Sequence, residues 1–480
     1  MIFDRDIETF IRAFAKEVEE NNAAVFVGAG LSVGAGHVDW RGLLKPIAED
    51  LGLDVEREHD LIALAQYHRN EEGNRAKLNR ILINEFARDA QLSENHRLLS
   101  RLPISAYWTT NYDKLIEKAL EEAGKRPDVK HADNQLAFTR PGRDAVVYKM
   151  HGDIDHPDQA VLIKDDYEKY HQAHQLFLTA LGGDLVSKTF LFLGFSFSDP
   201  NLDYILGRVR VSLGENVRGH YAILRRVQRP DAEDNTDYQY LLRQQELFIG
   251  DLKRFGIKAL LIDRHEQITE ILRRIHEMHR RKSVLISGAA HDYGRWSAQD
   301  AEAFMHQIGN RLVSGGFRLV SGFGLGIGSG VISGALERVF REPSMTISDQ
   351  MLLRPFPQTP PDGMTRDEMN TAYRQDLISN AGIGVFLFGN KLKGGEIINS
   401  PGVKEEFNLA HEQDLALVPI GATGYMAKVL WDRVTKNFDE FFPDHSDLRG
   451  PFQILGDDKA DDDKLLSALM QILTTLSAKA

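Results

Sequence analysis

Two side chains stand where chemistry could be done. His151 follows an apolar run, Ala145 to Met150, and precedes Gly152. An imidazole there titrates near neutral pH and can serve as a general base, or it is simply a hydrogen-bonded histidine at a strand end. Asn111 ends a second apolar run within Thr109-Thr110-Asn111-Tyr112-Asp113. Its amide carries a donor and an acceptor with which to orient a water or a sugar hydroxyl, or it opens the next helix through an Asx turn. A competing constellation is His151, Asp153 and Asp155. In an extended segment they alternate onto one side and would ligate a divalent cation, which makes a metal-dependent hydrolase the second reading. No second cluster of histidines and carboxylates accompanies them, so the expectation is no metal site.

Two glycine-rich stretches add a different chemistry. In Ala23 to Gly36, AAVFVGAGLSVGAG, an apolar run breaks into Gly28, Ala29, Gly30 and Ser32. A glycine turn leaving a buried strand lets backbone N–H groups approach a phosphate closely. The spacing departs from G-x-G-x-x-G, because Leu31, Ser32 and Val33 separate Gly30 from Gly34, and a tight structural turn is the alternative. The second stretch, Ser321-Gly322-Phe323-Gly324-Leu325-Gly326-Ile327-Gly328, alternates glycine more regularly and is the stronger phosphate-loop candidate.

The elements that must position these residues read as alternating strands and helices. Ile7, Phe10, Ile11, Phe14 and Val18 have helical spacing and lead into the strand Ala23 to Val27. Trp40 to Leu99 is mostly helical and charged. Strands follow at Ile104 to Thr109, Ala145 to Met150, Thr189 to Leu193, Tyr221 to Leu224 and Lys258 to Ile262, with a helix at Lys114 to Ala123. Four of the strands end in polar or glycine-containing loops, the pattern of an open α/β sheet whose ligands lie beyond the carboxyl ends. The basic run His279-Arg280-Arg281-Lys282 is the best boundary, giving domains 1–282 and 283–480. A second α/β pattern then restarts with strands at Val284 to Ile286, Arg318 to Val320, Val385 to Phe388 and Ala416 to Ile420. Pro355 to Pro361 reads as a loop, and Asp457 to Lys464 as a solvated acidic turn before the last helix.

Composition sets the outer limits. The 480 residues can form two or three domains, and 42% hydrophobic with 27% charged residues is the balance of a soluble globular chain. The 58 basic and 70 acidic residues give a net charge of −12, which argues against a nucleic-acid-binding surface. There is no cysteine, which removes disulfides, thiol nucleophiles and cysteine-ligated zinc. MIFDRDIETF is too charged for a signal peptide, and no apolar run approaches the ~20 residues that span a bilayer. The expectation is a cytoplasmic protein with no membrane or nucleic-acid partner.

Gly28-Ala29-Gly30-Leu31-Ser32, Gly36-His37-Val38-Asp39-Trp40-Arg41, Thr110-Asn111-Tyr112-Asp113, His151-Gly152 and Gly194-Phe195-Ser196 occur in the order of the sirtuin NAD-binding signatures, which the chain therefore resembles. It departs from them where His37-Val38 replaces Ile-Pro, around Asn111, and where Phe195 replaces a threonine. It also lacks the cysteines of the sirtuin zinc module, so the resemblance implies NAD chemistry without protein deacetylation. Across nearly all 480 residues, including VVYKMHGD, LVSKTFLF, GFSFSDPNLDYIL, VSGFGLGIGS, LLRPFPQ, FGNK and GATGY, the chain resembles the effector family of the Thoeris antiphage defence system.

That resemblance implies two Rossmann-like α/β domains: an N-terminal sirtuin-like parallel sheet with a helical insertion, and a C-terminal SLOG-type parallel sheet. It implies an NAD hydrolase that releases ADP-ribose and nicotinamide, with NAD as substrate, no further cofactor and no zinc. A TIR-domain partner would make a cyclic ADP-ribose isomer, whose binding to the SLOG domain switches on NAD depletion. It also implies a homo-oligomer, a tetramer or larger. By resemblance His151 is the base and Asn111 positions water or sugar. Gly28, Ala29, Gly30 and Ser32 take the diphosphate, Asp113 orders its loop, and Gly194 and Ser196 close the adenosine side. Gly288, Ala289 and Leu325 line the second domain's strand-end loops and Phe356 offers an aromatic face. Arg374 and Lys391 hold phosphates, Gly402 permits close approach and Glu406 binds ribose. The chemistry asks little of an acid, because nicotinamide leaves readily; the site must hold the ribose, place a water and accept a proton. An NAD-dependent deacylase and a pure nucleotide sensor with an inactive first domain are the other readings.

Overall fold

The computed structural model describes residues 3–478 except 89, 215 and 217. The chain divides into two compact units, Met1–His276 and Glu277–Ala480, each built on its own parallel sheet. Both sheets have helices between successive strands, so the expected pair of Rossmann-like α/β folds is what the chain adopts.

In the first unit the strands are β1 (Ala23–Val27), β2 (Ala106–Thr109), β3 (Pro127–Lys130), β4 (Ala145–Lys149), β5 (Thr189–Leu193), β6 (His220–Arg225) and β7 (Ile257–Ile262). They lie in the order β3-β4-β2-β1-β5-β6-β7, all parallel. β1 and β5 are buried at every position, which is why they appear in the sequence as near-continuous apolar runs, broken only by Thr189. The register is what matters for the site. Lys149 pairs with Thr109, Thr109 with Val27, and Val27 with Leu193. The last residues of β4, β2, β1 and β5 thus form one row, and the loops beginning at Met150, Thr110, Gly28 and Gly194 leave the sheet side by side. The chain winds outward from β1 on one side through β2 to β3 and β4, and on the other through β5 to β7. This makes β1 the switch point at which ligands bind in such sheets.

The opening helix, Arg5–Glu19, starts at Asp4, whose side chain accepts from the N–H groups of Asp6 and Ile7, and buries Ile7, Phe10, Ile11, Phe14 and Val18. One core cluster joins Phe26, Trp108, Phe190 and Phe192 to Leu178, Leu181 and Leu202. The helical insertion between β1 and β2 has a core of its own, where Leu44, Ile47, Leu64 and Leu82 pack with Tyr112 and Ile163. β3 was not among the expected strands. It is a polar edge strand, PDVK, and carries no apolar signal.

The second unit has β8 (Ser283–Ala289), β9 (Arg318–Ser321), β10 (Met351–Leu353), β11 (Ile383–Phe388), β12 (Asn390–Lys393), β13 (Glu396–Asn399) and β14 (Ala416–Pro419). Five form a parallel sheet in the order β10-β9-β8-β11-β14, and β12 and β13 form a separate hairpin. The edge strand β10 and the hairpin are additions to the expected elements. Pro355 to Pro361 is a loop. The acidic segment 457–464 is only partly a turn, because the last helix, Asp462–Ala478, begins inside it. Asp462 accepts from Trp296 Nε1 at 3.0 Å and Asp463 pairs with Arg311 at 2.6 Å. Carboxylates in a first helical turn are favoured by the helix dipole, so acidity here starts a helix instead of marking a free loop. Among the described residues, no helix is long and apolar enough to cross a membrane.

Candidate active site

A cavity of about 670 Å³ opens on the carboxyl edge of the first sheet. Its floor is made by two loops pressed together. Gly28 N–H donates to Leu193 O and Gly30 N–H to Gly194 O, both at 2.9 Å. A Cβ on Gly28 would meet Gly194 O at 2.4 Å, and one on Gly194 would meet Leu31 N at the same distance. Gly194 also holds φ +61°, a conformation that suits glycine. The glycines here satisfy a packing demand between the two loops, and the N–H groups of Gly28 and Gly30 are already committed to it.

Asn111 is tied to the glycine loop from the next strand. Thr109 Oγ1 donates to Val27 O and accepts from Asn111 N–H, at 2.8 and 2.9 Å. Asn111 Nδ2 donates to Gly28 O at 3.1 Å and to Ser32 Oγ at 2.9 Å, and neither bond uses Oδ1. Ser32 Oγ donates to Asp113 Oδ2 at 2.7 Å, while Asp113 Oδ1 accepts from Leu115 N–H at 2.9 Å. Asn111, Ser32 and Asp113 therefore form one buried chain of bonds between the β1 and β2 loops.

His151 is buried at the end of β4, with its ring edge-on to Tyr167 at 5.4 Å. Its Nε2 lies 2.8 Å from Asp199 Oδ2, within ion-pairing distance but off the line of an ideal hydrogen bond. Asp199 Oδ1 accepts from the N–H groups of Asn201 and Leu202, which caps the helix Pro200–Leu213. Burial would push the Asp199 carboxyl up. The charge and hydrogen bond of His151 and the two capping amides together outweigh that and hold it below the usual carboxylate range.

Beneath both loops lies Lys149, fully buried. Its Nζ donates to the carbonyl oxygens of Tyr112 and Asp113 and to Asp153 Oδ2, the last at 2.6 Å, and stands 3.1 Å from Glu117 Oε1. One ammonium thus joins the loop of Asn111 to the loop of His151. It also separates the groups of the metal reading: Asp153 turns to Lys149, Asp155 pairs with Lys114, and His151 faces Asp199. Among the described residues no group of three or more His, Asp or Glu side chains is placed to hold a metal ion.

Of the residues expected at an NAD site, Ala29, Gly30, Ser32, Asn111, Asp113, His151, Gly194 and Ser196 line the cavity, with Gly28 immediately behind. The cavity continues to Leu224 and Arg225 at the end of β6 and to His265, under a wall that includes Trp40, Arg41 and Phe86 of the insertion. From β4 to β6 it crosses five strand ends, a span of about 19 Å at the usual strand spacing. Asp199, Tyr167, Arg225 and His265 were not singled out in the sequence. Only Asp199 carried a signal, as a helix cap ahead of Pro200.

A second cluster lies in the other unit. Arg374 donates through Nη1 to Glu405 at 2.9 Å and through Nε to Glu406 at 3.3 Å, with its guanidinium 5.2 Å from the Phe356 ring centre. Ser287 Oγ donates to Glu406 Oε2 at 2.5 Å. Burial pushes the Glu406 carboxyl above its usual range despite Ser287 and Arg374. A Cβ on Gly402 would meet Arg374 Nη2 at 2.8 Å. The structure therefore brings Arg374, Glu406, Phe356 and Gly402 together. Gly288, Ala289 and Leu325 form a neighbouring group, where Ala290 N–H donates to Leu325 O at 2.8 Å, and Lys391 stands exposed on β12.

Residues 267–476 match the Sir2- and TIR-associating SLOG family, and residues 105–248 match the SIR2-like domain family. NAD(+) hydrolase ThsA of Bacillus cereus (strain MSX-D12) is 48% identical over 473 residues, covering 98% of both chains. NAD(+) hydrolase ThsA of Acinetobacter baumannii (strain 532279) is 46% identical over 479 residues, covering 98% of this chain and 99% of its own. Defense-associated sirtuin 2 of Bacillus subtilis is 25% identical over 217 residues, which is 44% of this chain and 21% of its own.

Proposed function

The chain belongs to the family of NAD(+) hydrolases named ThsA, and from that premise we propose that NAD is hydrolysed in the cavity of its first unit, with His151 as base and Asn111 as the group that places water or ribose. One observation carries this reading: the strand-end row puts His151 and Asn111 at one end of the cavity, the glycine loop in the middle, and Gly194, Ser196 and the β6 end beyond it. This order suits an extended dinucleotide with its labile bond at the His151 end and its diphosphate over Gly28, Ala29 and Gly30.

The reaction balances without an acid. The bond from ribose C1′ to the nicotinamide nitrogen breaks, and its electron pair leaves with nicotinamide, which departs neutral. Water oxygen bonds to C1′ as oxocarbenium-like charge develops there, and its proton passes to His151. The products are ADP-ribose and nicotinamide. Asn111, with Nδ2 fixed by Gly28 and Ser32, presents Oδ1 as a stationary acceptor.

The wider reading is a Thoeris antiphage effector. Domain 283–480 takes a cyclic ADP-ribose isomer made by a TIR-domain partner, and domain 1–282 then depletes the cytoplasmic NAD of the infected cell, acting as a homo-oligomer. Support comes from the match to the Sir2- and TIR-associating SLOG family and from Arg374, Glu406 and Phe356, which suit phosphate, ribose hydroxyls and a base.

The test incubates the full-length protein with NAD, with and without cyclic ADP-ribose isomers, an acylated peptide and EDTA. Nicotinamide release that requires the isomer and ignores peptide and EDTA is expected. Release that requires the peptide selects a deacylase, loss with EDTA selects metal chemistry, and no release under any condition selects a sensor alone. His151→Ala and Asn111→Ala are expected to abolish release in folded protein; an unchanged rate in His151→Ala overturns the base assignment.

A further inference from the structure

We propose that Asp199 is a positioning residue for this reaction: its carboxylate holds the His151 ring with the proton on Nε2 and so leaves Nδ1 as the basic atom. The inference rests on the hydrolase reading above and adds a group to it. Three features carry it. Nε2 is 2.8 Å from Asp199 Oδ2, off the line of an ideal hydrogen bond but close enough that an ionised carboxylate favours a hydrogen on that nitrogen over a lone pair facing its own. The carboxylate does not depend on His151 for its place. Oδ1 is held by the amides of Asn201 and Leu202 at 2.8 and 3.0 Å, at the start of a helix that Pro200 pre-sets. Capping uses only Oδ1, so Oδ2 is free to be aimed at the imidazole. Finally, Tyr167 meets the ring edge-on and leaves it little rotation.

The arrangement also links the two halves of the cavity. Asp199 stands on the loop that carries Gly194 and Ser196, while His151 is on the loop after β4. The pair Asp199–His151 joins them across β2 and β1, so the segment that closes the far half of the cavity also orients the base at the near half. When His151 takes the proton from water, the imidazolium forms beside an anion already in place, with no reorganisation required.

Asp199→Asn tests this. The amide keeps an oxygen for the capping N–H groups but turns a donor toward His151, which drives the ring proton to Nδ1 and removes the base. The expected result is a fall in kcat of about 100-fold or more, in the direction of the roughly 10⁴-fold loss seen when the orienting aspartate of the serine-protease triad becomes asparagine. KM for NAD is expected to stay within about threefold of the parent, because the ring still lines the cavity and only its tautomer changes. Asp199→Ser, which retains a capping oxygen and removes the charge, is the second variant should the first fold poorly, and the same split between kcat and KM is expected. Adding Asp199→Asn to His151→Ala should slow no further whatever residual release a long incubation of His151→Ala detects, since Asp199 acts only through His151. A parent-like or faster kcat in both single variants, or losses that add in the double variant, overturns the proposal. Absence of nicotinamide release from the parent itself, with the activating isomer present, overturns the hydrolase reading and this inference with it.

Discussion

At the residue scale the site is governed by how closely two loops approach. Gly194 has φ +61° and lies where an added Cβ would stand 2.4 Å from Leu31 N, with backbone on every near side. Gly36, in the same glycine-rich stretch, also has a positive φ of +98° but nothing within 4 Å of the Cβ position. Alanine at both positions separates crowding from conformation. Gly36→Ala incurs only the left-handed backbone penalty, about 1–2 kcal/mol. Gly194→Ala adds overpacking to it and is expected to cost about 2–5 kcal/mol, with loss of NAD turnover as the floor of the cavity shifts. Denaturant midpoints of the two variants, read beside NAD turnover, check the difference; equal losses would mean that close approach contributes nothing. Ser32 makes a related point. Its hydroxyl is engaged by Asp113 and Asn111, and the N–H groups of Gly28, Gly30 and Leu31 donate within the two loops, so a diphosphate over this loop would find these donors already committed.

At the scale of elements, the strands that build the site were legible where burial was complete. β1 and β5 are buried at every position and apolar but for Thr189 because both faces are covered, and their ends fall where the sequence turns to glycine. β3 and the hairpin β12–β13 are short edge or surface strands whose polar residues hide them, and β10, Met351-Leu352-Leu353, is apolar but too short at three residues to show a period. The pairing of His151 with Asp199 was not legible. It depends on β4 and β5 lying on opposite sides of β1 and β2, and sheet order leaves no periodicity in the chain. Lys149 was hidden in the same way, as one charge inside the apolar run VVYKM. Its partners come from three loops and helices, so it acts as the fastening between β2 and β4. Lys149→Met leaves Glu117 and Asp153 facing each other without a cation, and a loss of about 3–5 kcal/mol is expected at pH 8. The sign of its pH dependence follows. Burial already holds Glu117 above its usual range despite Lys149, so removing the ammonium raises it further and lifts Asp153 from its lowered position. The folded variant then binds more protons than the parent does, and its deficit shrinks as pH falls. Unfolding of the variant at pH 8 and pH 5 should therefore show the smaller deficit at pH 5; an equal deficit would mean that Lys149 compensates no buried charge.

For the whole molecule, two sheets of the same kind place different chemistry at their carboxyl edges, and the proposed division of labour rests on that difference. The first edge carries a buried imidazole beside a carboxylate, a fixed amide and a glycine loop. The second carries a guanidinium that two carboxylates already engage, with Glu405 on Nη1 and Glu406 on Nε. On that proposal a signal bearing phosphates competes with Glu405 for Arg374 Nη1, while Glu406, whose oxygens accept from Arg374 Nε and Ser287 Oγ, meets ribose hydroxyls through its remaining lone pairs. Two substitutions should then move activation in opposite directions. Arg374→Ala removes the cation and is expected to bring the ratio of NAD turnover with and without the cyclic ADP-ribose isomer close to one, with loss of isomer binding by calorimetry. Glu405→Gln removes the competing charge while keeping a hydrogen-bonding side chain of the same size, and half-maximal activation is expected at a several-fold lower isomer concentration, since exchanging a charged for a neutral acceptor weakens the competing bond by about 1 kcal/mol. If Glu405→Gln instead demands more isomer, Glu405 belongs to the ligand's own contacts and Arg374 is not held in check by it.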